Sequence, residues 1–168
     1  MKNKLIPIAA LLMTFSASAF AQASATATST ATIVTPISIT KTVDMNFGSI
    51  ATSASGGTVV LTPAGARSAT GGASLPAAAG TVTAASFDVA GEDGYTYAIT
   101  LPSSVTLTRN SGAETMTVDA FTSNPTSTGE LTAGAQTLTV GATLNVGASQ
   151  APGTYVSGTA FTVTVNYN

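Results

Sequence analysis

The chain has 168 residues, five basic and seven acidic, with no histidine, no cysteine and only 7% charged residues. Without cysteine there are no disulfide staples, and without histidine or cysteine the commonest general base and the thiol and imidazole metal ligands are missing. The acidic balance argues against nucleic acid as a partner.

In chain order, Lys2 and Lys4 precede an apolar stretch from Leu5 to Met13, and a small-residue segment ends in Ala19-Phe20-Ala21. These are the three parts of a secretory signal peptide over residues 1–21, with cleavage expected before Gln22. The apolar core is too short for a spanning helix, which needs roughly 20 residues. No integral membrane segment is expected after cleavage. The 147 residues that remain suit one domain, with Lys41, Arg67 and Arg109 against seven acids. Export to the periplasm, and then to the cell surface or medium, is the expected localisation.

From Ala23 to Phe47 the sequence alternates with a period of two. Ala23, Ala25, Ala27, Ala31, Ile33, Ile37 and Ile39 occupy odd positions, and hydroxyl residues fill most even ones. This is the pattern of a strand with one apolar face. Its first part, residues 22–32, has strand alternation but small side chains, so it reads as an N-terminal extension, either a donor strand or a flexible tail. Residues 33–168 form the expected domain.

Further alternating segments follow. They are Thr58–Thr62, Thr81–Val89, Tyr95–Leu101, Val105–Thr108, Thr115–Thr122, Gln136–Val146 and a last strand running from Pro152-Gly153 to Tyr167. Gly91-Glu92-Asp93-Gly94 reads as a hairpin connection, and residues 63–80 carry no firm strand signal. Phe121 falls on the polar side of its strand. No helical period appears beyond residue 21. The expected fold is all-β, an antiparallel Ig-like β-sandwich, with completion by strand donation between subunits as one way to close it.

Chemistry is sparse. A serine nucleophile would depend on Lys41 or a carboxylate, and Lys41 lies in a strand context that does not suit that role, so no enzyme activity is expected. Asp88, Glu92, Asp93 and Asp119 lack the alternate spacing of a calcium loop; a solvated turn with Gly94 at positive φ is the stronger reading, and neither metal nor cofactor is expected. Tyr95, Tyr97 and Tyr155 suit a sugar-stacking patch less well than the edge of the core.

Several phrases occur in a familiar order: Met45-Asn46-Phe47-Gly48-Ser49-Ile50, Phe87-Asp88-Val89-Ala90-Gly91, Val140 to Gly147, and Pro152-Gly153-Thr154-Tyr155 leading into Val163 to Tyr167. Together they resemble a family of secreted bacterial β-proteins, domain of unknown function 4402. The ending, with its penultimate tyrosine, is also similar to subunits of chaperone-usher pili and the spore coat protein U domain. That resemblance implies an incomplete Ig-like sandwich, filled by a neighbour's N-terminal strand. It makes Ala23, Ala25, Ala27, Ala31, Ile33, Ile37, Ile39, Phe161, Val163, Val165 and Tyr167 the candidate subunit interface. The cysteine pair common in those pilins is absent. The expected function is a non-catalytic structural subunit of a bacterial surface filament or fimbria-like assembly, polymerising by strand addition. Its partners would be other copies of itself, a periplasmic chaperone and an outer-membrane usher. The alternative is a self-contained secreted or surface-associated adhesin or matrix module in which Ala31 to Val43 closes its own sheet.

Overall fold

A computed structural model describes residues 22–168; the signal peptide expected over 1–21 lies outside the described residues. The chain divides into two units at Thr32/Ile33. In the first, residues 22–32 are exposed and outside any strand. Their alternation therefore forms no strand in the single chain, because Ala, Ser and Thr bury too little apolar area to hold one in place.

The second unit, Ile33–Asn168, is an antiparallel β-sandwich with no helix among the described residues. Its strands are β1 (Ser38–Val43), β2 (Ala51–Leu61), β3 (Arg67–Ser74), β4 (Ala85–Ala90), β5 (Thr96–Thr100), β6 (Ser104–Arg109), β7 (Thr115–Asn124), β8 (Thr128–Glu130), β9 (Ala135–Val146), β10 (Tyr155–Ser157) and β11 (Thr164–Tyr167). One sheet runs β1-β4-β9-β7-β6-β10, with β2 also on β9 and β3 on β2; the other is β11-β5-β8.

The organising strand is β9. Leu138, Val140, Ala142, Leu144 and Val146 are buried, as strict alternation requires. One of its edges pairs with β7, and the other is shared in series, first by β4 over Ala135–Val140 and then by β2 over Ala142–Val146. Gly141 sits at the changeover, where a Cβ would overlap the Leu61 carbonyl oxygen, so only glycine lets the two chains meet there.

Two cores result. Phe87, Val89, Tyr97, Leu131, Leu138, Val140 and Val165 fill the space between the sheets. Phe47, Val59, Leu61, Val118, Ala142, Leu144 and Val146 form a second cluster further along β9.

The structure corrects four local expectations. Residues 63–80 contain β3, an edge strand of small residues that pairs through its backbone with β2 and buries little, which is why no apolar alternation marks it. Gly91–Gly94 does not join a hairpin; it carries the chain from β4 in one sheet to β5 in the other. The expected last strand is two strands, β10 on β6 and β11 on β5, with Gly158 to Val163 crossing between the sheets. Phe121 faces inward because the register shifts between Asp119 and Thr122 around Ala120 (φ 45°). One extra residue reverses the parity of everything after it. Phe121 thereby packs against both cores and lies 5.2 Å from the Phe161 ring.

Candidate functional site: an open apolar cleft

Between the β1–β2 connector and the chain from Gln150 to Phe161 lies an open cleft of about 980 Å³. Its floor is the inward face of β6, β7 and β9: Val105, Leu107, Met116, Val118, Leu144 and Val146. The first three are only half-buried, so apolar surface on the adjacent strands β6 and β7 stays accessible at the cleft.

The first wall is the segment Met45-Asn46-Phe47-Gly48-Ser49-Ile50, held without strand pairing. Asn46 and Thr83 exchange backbone hydrogen bonds of 2.8 and 3.0 Å, and the Ser49 amide donates to the Ala79 carbonyl at 2.7 Å. The Asn46 side-chain oxygen accepts from the Gly48 amide at 2.8 Å, a local turn that places Gly48 at φ +68°. A Cβ on Gly48 would overlap the Ala79 carbonyl oxygen. Arg67 of β3 donates Nη1–H to the carbonyls of Phe47 and Ser49, the latter at 3.1 Å, satisfying two acceptors that no strand serves.

The second wall is held by Gln150 and Tyr155. The Gln150 amide donates to the Thr115 carbonyl at 3.2 Å and to the Tyr155 hydroxyl at 2.8 Å, and that hydroxyl donates to the Ala151 carbonyl at 2.7 Å. Gln150 Oε1 accepts from the Gly147 amide. Arg109 closes the β6–β7 hairpin beside this wall through two hydrogen bonds to Glu114, at 2.7 and 3.0 Å. The guanidinium lowers the Glu114 carboxyl from 4.5 to about 2.

At the far end of β1 the arrangement is closed. Tyr167 donates its hydroxyl to the Thr35 carbonyl at 2.7 Å and accepts from the Glu92 amide at 2.6 Å, while the Thr35 amide donates to Glu92 Oε2 at 2.8 Å. That last bond lowers the Glu92 pKa. Among the described residues β1 pairs only with β4 and β11 only with β5, so each leaves one edge without a strand partner there, and the two strands approach each other across the sheets.

The interface residues expected from sequence fall into two groups. Ile37, Ile39, Phe161, Val163, Val165 and Tyr167 come together in the core between the two sheets, the upper core of their own domain. Ala23, Ala25, Ala27 and Ala31 are exposed, and Ile33 is 98% exposed. The cleft floor and Arg67 were not anticipated as a site. The alternation of Val105 with Leu107 and of Met116 with Val118 marked an apolar face, but nothing local says that no strand covers it. The three tyrosines do not form a patch: Tyr97 is fully buried, with burial raising its pKa, Tyr155 braces the wall, and Tyr95 is exposed. Lys41 forms an exposed ion pair with Asp44 at 2.6 Å.

An antiparallel β-sandwich with an open apolar cleft defines the class of fold. Within it, the family described as domain of unknown function (DUF4402) matches residues 37–167, and the chain belongs to that family. No curated protein and no solved structure matches the chain.

Proposed function

We propose that this protein is a non-catalytic structural subunit of a bacterial surface filament. After export and loss of residues 1–21, the N-terminal arm of one copy adds as a strand to the cleft of the next, completing an Ig-like sandwich. The observation that carries this reading is the cleft, whose floor has accessible Val, Leu and Met side chains on β6 and β7, in a chain that also carries an exposed alternating arm. Strand addition supplies main-chain hydrogen bonds along the arm and places alternate side chains on the floor. A periplasmic chaperone and an outer-membrane usher are the partners such assembly would use, covering the cleft until a subunit arrives.

The pairing of β1 with β4 favours a second reading, a self-contained adhesin or matrix module, since β1 closes its own sheet. Sedimentation velocity on the chain beginning at Gln22, with and without residues 22–32, separates the two. Strand addition expects oligomers from the longer chain and monomers from the shorter; equally stable monomers from both would rule it out.

A further inference from the structure

The root of the arm is fixed more firmly than its exposure suggests. Thr35 belongs to no strand, yet both its backbone groups are taken by residues distant in sequence, the amide by Glu92 and the carbonyl by Tyr167. Glu92 and Tyr167 are themselves joined through the Glu92 amide. Pro36 adds a further constraint, biasing Thr35 toward extended backbone. The Tyr95 ring packs edge-on against Tyr167 with centroids 5.5 Å apart, bracing the hydroxyl.

Two residues before this clamp stands Ile33, 98% exposed and the only large apolar side chain between Gln22 and Ile33. It continues the odd-numbered face on which Ile37 and Ile39 pack against the upper core, but it projects past the end of that core.

The register of β1 shows what Ile33 can reach. Ser38 lies opposite Ala90 and Val43 opposite Ser86, so the clamp is at one end of the strand, and the cleft, which begins at Lys41, is at the other. Thr35 and Lys41 are six residues apart, about 20 Å of extended chain. With Thr35 pinned, the two-residue tether to Ile33 spans only about 7 Å. Ile33 therefore cannot enter the cleft of its own molecule while the clamp holds.

We propose that the Thr35–Glu92–Tyr167 clamp presents Ile33 as the apolar anchor for the cleft of a second copy, and makes insertion between molecules rather than within one. The inference rests on the strand-addition reading and names the residues that direct it. The charge difference favours a head-to-tail contact: Glu92, Asp93 and Glu130 lie at the clamp end without an ion-pair partner among the described residues, whereas at the cleft end Lys41 and Arg109 are paired with Asp44 and Glu114, and Arg67 of the first wall is the cation with no carboxylate partner among the described residues.

The test uses the chain beginning at Gln22 in sedimentation velocity, alongside thermal unfolding. Ile33→Ala is expected to weaken self-association by roughly ten-fold or more, with an unchanged thermal midpoint because the Ile33 side chain is 98% exposed. Tyr167→Phe keeps the ring and loses two of the three clamp hydrogen bonds, leaving only the Thr35 amide on Glu92, and is expected to shift material from oligomers to closed monomers. Wild-type association by either variant overturns the proposal. Should the 22–32 deletion abolish oligomers while Ile33→Ala associates normally, this inference fails and strand addition stands; a wild-type chain that stays monomeric removes both.

Discussion

The two halves of β9 meet different partners. Around Leu138 and Val140 a second sheet, β11-β5-β8, lies across the strand, and both side chains are fully buried. Among the described residues no sheet opposes Leu144 and Val146. Cover comes from irregular segments pinned by Asn46, Arg67 and Gln150, and the adjacent Leu107 and Met116 are left half-buried. The same alternation is thus buried under a sheet at one end and under irregular cover at the other, beside a floor on β6 and β7 that stays accessible. Side-chain pattern decides which face is apolar; the supply of a facing sheet decides whether that face is closed.

This contrast is sharpest in paired truncations. Leu138→Ala should lower unfolding free energy by about 3 kcal/mol in denaturant melts, as for a fully buried leucine whose surroundings cannot collapse. Leu107→Ala should cost the monomer less, about 1 kcal/mol, since part of its side chain is already in contact with solvent. The comparison breaks if the two variants are equally destabilised, because the cleft would then be as tightly packed as the upper core.

Arg67→Ala should have an intermediate effect, about 1–2 kcal/mol, through the loss of donors to two carbonyls of the first wall. Hydrogen exchange is expected to quicken at Gly48 to Ile50 while amides of β4 remain protected. Uniform acceleration throughout the domain would mean that the wall is not a separately held element.

The smallest effect concerns pH. Because the folded-state pKa of Glu114 is depressed from 4.5 to about 2, its contribution is present above about 4.5 and is lost as pH falls toward 2. NMR of the β6–β7 hairpin should show loosening at Asn110, whose amide donates to the Thr154 carbonyl at 2.8 Å, over that window. In Glu114→Gln the acid-dependent change should vanish. A titration unchanged by that substitution would place the responsible group elsewhere.

Much of the framework is legible in the chain. The alternation of Leu138 to Val146 and of Phe161 to Tyr167 identifies apolar faces that the structure buries or half-buries. β3 is hidden because an edge strand of Ser, Ala, Thr and Gly needs no apolar face, only a partner's backbone. Phe121 is assigned to the wrong face because a bulge leaves no local composition signal, yet it inverts the pleat. The cleft was illegible for a related reason: its defining property is the absence of an opposing sheet, and no residue on the floor encodes what fails to lie above it.

Sequence by itself determined an all-β antiparallel domain, its principal apolar faces and a weak N-terminal extension, because period-two alternation and side-chain bulk are local properties. Tertiary structure alone decided that β9 divides its edge between β4 and β2, that the chain changes sheets after β10, and that Thr35 is clamped by Glu92 and Tyr167 at the end away from the cleft. Those outcomes depend on contacts between residues up to 132 positions apart, which are settled only when the sheets pack.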